Sequence, residues 1–182
     1  MKDISMHIMD IAQNSITAGA GLLEINIIED IDNDAYTVII KDNGKGMPEE
    51  LLKKVTDPFT TTRTTRKIGL GLPLLKQNVE RTGGTFSIES KEGEGTTVEA
   101  SFVMMHPDRL PIGDIAGTIV LLTSANPELT IIYRHSTNTG DYEYNTTEIN
   151  STLDGVSITE PSVIRFLKEM IDENLQSIGI SR

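Results

Sequence analysis

The chain has 182 residues, 37% of them hydrophobic and 24% charged, which suffices for one large domain or two small ones. Its net charge of −11 argues against a general nucleic-acid or membrane-surface binder, because phosphates would be repelled by most of the surface. The absence of cysteine excludes disulfides, a thiolate nucleophile and cysteine-based metal sites.

The first segment, residues 4–18, has apolar residues near helical spacing and predicts an amphipathic helix that ends at Gly19 or Gly21. Three polar residues recur at i, i+3 and i+7 and therefore share one face of this helix: His7, Asp10 and Asn14. Because polar residues interrupt it, the segment is neither a secretory signal nor a membrane span, and we expect a cytoplasmic protein.

The middle of the chain alternates strands and helices. "LLEINII" and "YTVII" predict strands, "PEELLKKV" a short helix, and "TDPFTTTRTTRK" an exposed loop. "GLPLLKQNVERTGG" predicts a helix, and "TFSIES" with "TTVEASFVM" predicts a hairpin that turns at "KEGEG". Two prolines in "MMHPDRLPIGD" mark a composition break, so we expect one domain over residues 1–105 and a small α/β region over 106–182.

The region after the break predicts a helix in "IGDIAGTIVLLTSA" and a hairpin formed by "LTIIYRH" and "DYEYNT". "TEPSVIRFLKEMIDENLQSI" predicts a terminal amphipathic helix with Thr159 as its N-cap. No motif in this region indicates a ligand.

Four separated features could carry chemistry. They are the helix face with Asp10 and Asn14, the turn "DNGKGMP" after a strand, the loop and glycines before the helix at Gly71, and "GTT" before the last strand of the first region. Each alone is typical of an ordinary solvated helix face or turn, and only their order and spacing together indicate a site.

In that order, "DIAQNSITAGA", "IIKDNGKGMPEEL", "DPFTTTR" and "GLGLPLLKQNVERTGGTFSIESKEGEGTTVEASF" resemble the ATP-binding domain shared by histidine kinases, gyrase, certain chaperones and mismatch-repair ATPases, the GHKL superfamily. The resemblance covers about residues 1–105. It implies a two-layer α/β sandwich of the Bergerat type, with a mixed, mostly antiparallel sheet under helices. The region 106–182 would be a small α/β appendage of unknown role.

The resemblance also implies roles for the base-binding residues. Asp42 would accept the exocyclic amine of adenine, and Thr96 or Thr97 would help to hold the bridge to the ring. Gly44 and Gly46 would let the backbone pass under the base and sugar, where a Cβ would clash.

For the triphosphate, the resemblance implies ATP with Mg²⁺ and makes Asn14 the metal ligand, since a carboxamide oxygen suits a hard cation. The N–H groups where a helix begins favour phosphate, at Gly69, Leu70 and Gly71. The preceding loop would form a lid that contacts the phosphates through Thr61, Thr62, Arg63, Arg66 and Lys67, although the same charges are also typical of a solvated loop.

Two positions depart from the family pattern. Where members that hydrolyse ATP have a glutamate as general base, this chain has Asp10, whose shorter arm could weaken hydrolysis without weakening binding. Lys67 stands where the family often has a further glycine, which affects the expected shape of the lid.

His7 lies inside the ATP-binding domain's own helix and lacks the acidic residue that usually follows a phosphorylated histidine. We therefore expect it to have a local packing or supporting role, not to accept phosphate.

Three functions fit these features. The first is a stand-alone kinase module, without its own dimerisation and phosphoacceptor module, that phosphorylates a partner protein. The second is an ATP-gated switch or ATPase that works as a homodimer, and the third is a regulatory nucleotide-binding module with weak turnover. The residues alone do not identify the partner or the oligomeric state.

Overall fold

The computed structural model describes residues 1–56 and 70–181. In chain order the helices and strands are α1 (Ile4–Thr17), β1 (Leu22–Asp30), β2 (Ala35–Asp42), α2 (Glu49–Leu52), α3 (Gly71–Arg81), β3 (Thr85–Lys91), β4 (Gly95–Val103), α4 (Ile115–Ala125), β5 (Thr130–Thr137), β6 (Gly140–Asn145), α5 (Thr146–Thr152) and α6 (Pro161–Ser177).

Helix α1 begins and ends where its local sequence dictates. The side chain of Asp3 caps it by accepting a hydrogen bond from the backbone N–H of Met6 at 2.9 Å. At the other end Ala18 is the C-cap, and Gly19 follows with a φ of 77°, a conformation that glycine adopts without strain. The predicted first helix and its termination at Gly19 are therefore confirmed.

The six strands form one sheet in the order β3-β4-β2-β1-β5-β6. Strands β1 and β5 are parallel, and the other four neighbouring pairs are antiparallel. The predicted mixed, mostly antiparallel sheet is confirmed. Both predicted hairpins are present, as β3–β4 and β5–β6.

One face of the sheet is buried under helices. Helices α3, α1, α4 and α6 contact one another in that order, and the inward residues of the strands pack beneath them. Along β1 these inward residues alternate with half-buried or exposed ones on the other face, as the period of two requires: Leu23, Ile25 and Ile27 point inward. This arrangement gives the two layers of the predicted α/β sandwich.

The segment after residue 105 shares both the sheet and the core. Seven residues of β5 pair with β1, from Thr130 opposite Leu22 to Ser136 opposite Ile28. The buried residues of β5, α4 and α6 belong to the same hydrophobic cluster as those of α1 and β1. The appendage expected at residues 106–182 therefore continues the sheet of the first region.

One local prediction for this segment is wrong, and one helix was not predicted. Thr159 is not the N-cap of α6, because Glu160 holds that position and Pro161 is the first helical residue, where its missing N–H costs nothing. The Thr159 hydroxyl lies 2.7 Å from that of Ser157 instead. Helix α5 was not predicted, because its threonines and serine are weak helix formers, and Asn145 starts it by capping the N–H of Thr147.

Candidate functional site

A cavity of about 310 Å³ opens at the end of the sheet where β2 finishes. Its size is at the lower end of the range for small-molecule sites. Helix α1 forms one wall, the turn after β2 and helix α2 another, and β4 the base. Its lining is mainly apolar, with a few polar residues among Ile11, Asn14, Ser15, Thr17, Ala18, Asp42, Lys45, Gly46, Met47, Leu51, Val55, Leu72, Thr96 and Val98.

Asp42 lies at the buried end of this cavity, with 8% of its surface exposed. The hydroxyl of Ser15 donates to Oδ2 at 2.6 Å, and the N–H of Gly44 donates to Oδ1 at 2.9 Å. These two bonds fix the orientation of the carboxylate. An ionised carboxylate can accept about four hydrogen bonds, so Asp42 keeps acceptor capacity toward the cavity.

At the two glycines of the turn, the protein's own packing leaves little room for a side chain. A Cβ at Gly46 would overlap the carbonyl oxygen of Lys91, and the φ of Gly46 is 64°. A Cβ at Gly44 would lie 3.0 Å from that of Ala18, closer than nearly all Cβ contacts. The sequence predicted that these residues are glycine because the backbone approaches a base and sugar. The contacts within the protein give a second steric reason, which does not depend on a ligand.

Thr96 faces the cavity from β4, directly opposite Asp42 in the β2–β4 ladder. Its hydroxyl lies 2.8 Å from that of Ser90, which also accepts a hydrogen bond from the N–H of Met47 at 2.9 Å. Thr97 is the next residue along the strand, so its side chain lies on the opposite face of the sheet and it is not among the lining residues. Only Thr96 is brought to Asp42.

Asn14 and Asp10 lie one turn apart on α1, as the sequence predicted, but their surroundings differ. Asn14 is half-buried and lines the cavity. Asp10 is turned toward the start of α3, where its Oδ2 fills the space that a Cβ of Gly71 would need. That oxygen is buried and has no hydrogen-bond partner among the described residues.

Burial raises the pKa of Asp10 above its usual value, because a charged carboxylate loses solvation there. A raised pKa suits a general base, but the contact of Oδ2 with Gly71 directs that oxygen at a helix backbone. The short side chain brings the carboxylate against α3.

Helix α3 begins at Gly71, with exposed Leu70 as its N-cap. No side chain caps this end in the described part of the chain, so its first N–H groups can serve an outside acceptor. Gly69 and the predicted lid residues lie outside the described residues: Thr61, Thr62, Arg63, Arg66 and Lys67.

His7 is buried, with 1% of its surface exposed, and its Nε2 lies 3.1 Å from the side-chain Nδ2 of Asn78 in α3. Burial lowers the pKa of His7 to about 4, assisted by the N-terminal ammonium, so the ring is neutral near pH 7. The Nδ1 atom lies near the backbone of Gly71, and this proximity works to raise the pKa of His7. Nδ1 makes no hydrogen bond of normal geometry with the described residues.

Sequence reasoning missed three residues of this site: Ser15, Ser90 and Asn78. Their partners are 27, 6 and 71 positions away along the chain. A signal existed only for Ser15, which directly follows Asn14 and shares the buried side of α1 with Ile8 and Ile11.

None of the helices in the described ranges is both long and apolar enough to cross a membrane. Over the same ranges, no three His, Asp or Glu side chains cluster in a way that could hold a metal ion.

Residues 2–106 match the family model described as histidine kinase-, DNA gyrase B-, and HSP90-like ATPase. The chain is 33% identical over 102 residues to an NtrY-like protein of Rickettsia prowazekii (strain Madrid E), an alignment covering 56% of this chain and 17% of that one. It is also 33% identical over 109 residues to the sensor histidine kinase YxdK of Bacillus subtilis, covering 56% of this chain and 33% of the kinase. The chain thus spans a third or less of these relatives' length.

Among solved structures, the Aquifex aeolicus MutL ATPase domain, determined in complex with ADP, superposes with a TM-score of 0.50 at 14% identity. The superposition covers 85% of this chain and 68% of the MutL domain. At that identity the likeness concerns the fold alone. Because the superposition covers 85% of the chain, a larger share than residues 1–106 make up, it includes part of the segment beyond residue 106.

Proposed function

The chain belongs to the family of histidine kinase-, DNA gyrase B-, and HSP90-like ATPases, and on this basis we propose that it binds ATP with Mg²⁺ in the cavity and transfers the γ-phosphate to a partner protein. The observation that carries the binding proposal is Asp42, a buried carboxylate oriented by two donors in a cavity whose lining is mainly apolar. The similarity to sensor histidine kinases supports the proposed transfer.

Adenine offers a hydrogen-bond donor, its amine, beside an acceptor ring nitrogen. Asp42 can only accept when ionised, so it selects the amine, and Ser15 and Gly44 prevent the carboxylate from turning away. Thr96 has a hydroxyl at the same end of the cavity, where it can hold a bridge to the ring nitrogen. Apolar walls from Ile11, Val55 and Val98 would enclose the flat faces of the base.

The triphosphate would lie between Asn14 and the start of α3. The first N–H groups of α3, which no side chain of the described residues caps, and the positive end of the helix dipole favour an anion. Asn14 supplies an oxygen of the kind that Mg²⁺ prefers, and a bound Mg²⁺ would neutralise charge on the phosphates. The predicted lid cations Arg63, Arg66 and Lys67, with Thr61 and Thr62, would complete this half of the site, as would Gly69.

Transfer is favoured over hydrolysis by the position of Asp10. Its Oδ2 contacts Gly71, and this contact works against a carboxylate that must reach and activate a water. Transfer to a protein side chain does not require a hydrolytic water. The same observation favours, as a second candidate, a regulatory nucleotide-binding module with weak turnover.

The first test is the affinity for ATP·Mg²⁺, measured by calorimetry on the full chain and on Asp42→Asn. We expect affinity to fall by about 10- to 100-fold, because the asparagine nitrogen cannot accept and a charge-assisted hydrogen bond is lost. Asp141→Asn, at an exposed position on β6, is the matched control and should bind like the wild type. Equal affinity of wild type and Asp42→Asn would overturn the pocket assignment.

The second test separates the fates of the phosphate. The full chain is incubated with γ-labelled ATP, Mg²⁺ and a protein extract of its own host, and the reaction is stopped with acid and alkali in parallel. A labelled protein that appears with wild type and not with Asp42→Asn supports transfer. Released phosphate without a labelled protein indicates an ATPase, and tight binding with neither outcome indicates the regulatory module.

A further inference from the structure

Helices α1 and α3 meet at two polar contacts. His7 of α1 reaches Asn78 of α3 with 3.1 Å between Nε2 and Nδ2, and Asp10 of α1 lies against Gly71 at the first residue of α3. Moving forward along α1 from His7 to Asp10 thus means moving backward along α3 from Asn78 to Gly71. The two helices therefore run in opposite directions past each other.

This direction determines what lies in front of α3. Asn14 is four residues beyond Asp10 on the same face of α1, and four residues of helix advance by about 6 Å. Since Asp10 is already level with the first residue of α3, Asn14 stands beyond that end, toward which the first N–H groups of α3 point. The distance from Asn14 to these groups is set by how α1 lies on α3.

Burying the polar ring of His7 costs free energy unless its nitrogens find hydrogen-bond partners. The neighbouring inward residues of α1 are apolar, Ile4, Ile8 and Ile11, and a further apolar residue would fill the His7 position without any hydrogen bond to satisfy. A neutral imidazole has one acceptor and one donor nitrogen. With Nε2 accepting from the Asn78 amide, the proton is on Nδ1, which lies near the backbone of Gly71 without a hydrogen bond of normal geometry. Among the described residues, Asn78 is therefore the partner that holds this ring.

A hydrogen bond of this kind fixes a relative position more narrowly than apolar packing does, because its strength falls steeply with distance and angle. It fixes both the rotation of α1 and its height along α3. An apolar pair at the same place would allow the helices to slide by fractions of an ångström, which is enough to disturb a metal ligand and phosphate donors that must act together.

We propose that His7 is a positioning residue, which through Asn78 holds Asn14 at the distance from the start of α3 that a magnesium-bound triphosphate requires. The inference rests on the proposed nucleotide binding in the same cavity. It separates the site into two parts. Asp42, on β2, is held by Gly44 of the following turn as well as by Ser15 of α1, so the base part depends less on the junction of α1 and α3 than the phosphate part does.

The test compares affinities for adenosine and for ATP·Mg²⁺ by calorimetry in the wild type, Asn78→Ala, His7→Leu and the double variant. In each variant we expect about a tenfold loss for ATP·Mg²⁺, the size of one hydrogen bond, and a clearly smaller loss for adenosine, because Gly44 still holds Asp42 when α1 shifts. The double variant should lose no more than the larger single loss, since both residues act through one contact. Gln77→Ala, at the adjacent exposed position on α3, is the matched control and should change neither affinity.

His7→Gln adds a rescue measurement, because a glutamine amide can present an acceptor oxygen to Asn78. It should recover part of the ATP·Mg²⁺ affinity that His7→Leu loses, which a purely space-filling role would not allow. An equal loss for adenosine and ATP·Mg²⁺, or no loss in Asn78→Ala, would overturn the inference. A wild-type chain that bound neither adenosine nor ATP·Mg²⁺ would instead overturn the proposed function on which the inference rests.

Discussion

Buried polar side chains of the neighbouring strands β1 and β5 hydrogen-bond to one another. At the end of the sheet away from the cavity, the hydroxyl of Tyr133 lies 2.7 Å from Nδ1 of His135. The other ring nitrogen of His135, Nε2, lies 2.7 Å from Oε1 of Glu29. Burial works to raise the pKa of Glu29, but hydrogen bonds from His135 and Ser181 outweigh it and lower the pKa. A histidine with its proton on Nε2 accepts from Tyr133 and donates to Glu29, so all three groups are satisfied.

His7 gives a residue-scale prediction on stability and pH. Its pKa falls from 6.5 in the unfolded chain to about 4 in the fold, so the folded state binds fewer protons between these values. The stability contributed by the neutral ring is therefore complete above pH 6.5 and is lost as the pH falls toward 4. The loss amounts to about 3 kcal/mol in the free energy of unfolding.

The measurement is urea unfolding of the wild type and His7→Gln at several pH values between 4 and 7. Because the other titrating groups are common to both proteins, the difference between the two unfolding free energies isolates His7. We expect that difference to shift in favour of the glutamine variant as the pH falls. A difference that is independent of pH would show that His7 keeps its ordinary pKa in the fold.

At the scale of elements, helix α6 closes the layer of helices over β5 and β6. Its inward residues recur every four positions and are almost fully buried: Val163, Leu167, Ile171 and Leu175. After it, the carbonyl oxygen of Ile178 accepts hydrogen bonds from the hydroxyls of Thr137, at 2.6 Å, and Thr139. The helix is therefore fixed by its apolar stripe along its length and by hydrogen bonds at its end.

Leu167→Ala tests the contribution of this stripe. Leu167 is 2% exposed, so its truncation leaves a cavity and should lower the free energy of unfolding by about 2–5 kcal/mol. Phe166→Ala on the same helix is the matched control, because Phe166 is 61% exposed and should change stability by about 0.5 kcal/mol or less. Thermal or urea unfolding measures both, and equal effects would show that α6 is not held by its buried face.

At the scale of the whole molecule, β5 continues the sheet at the side of β1 that faces away from β2. Without the segment after residue 105, β1 would be an edge strand with unpaired N–H and C=O groups, and the core would lose the buried residues of β5, α4 and α6. The proposed domain boundary near residue 105 therefore lies within a shared sheet and a shared core.

We accordingly expect a fragment of residues 1–105 to lack cooperative unfolding and to aggregate, although it contains every residue assigned to the nucleotide. Circular dichroism during heating, and solubility beside the full chain, measure this. A fragment that unfolds cooperatively and binds ATP·Mg²⁺ like the full chain would contradict the expectation and support two independent domains.

The amino-acid sequence by itself determined the elements whose period and end signals are local, and the residues that carry the family resemblance. Helical spacing predicted α1 with Asn14 and Asp10 on one face, and alternation with turn glycines predicted both hairpins. The order of the motifs made Asp42 and Gly71 candidates for the site, because that order is read directly from the chain. These features require no knowledge of which distant residues meet.

The tertiary structure decided everything that depends on long-range register. The pairing of β2 with β4 places Thr96, and not Thr97, beside Asp42, since consecutive strand residues point to opposite faces. Packing of α1 on α3 pairs His7 with Asn78 and turns Asp10 toward Gly71. The parallel pairing of β1 with β5 joins the two regions into one sheet, because strand partners are chosen by burial of whole faces and not by neighbouring residues.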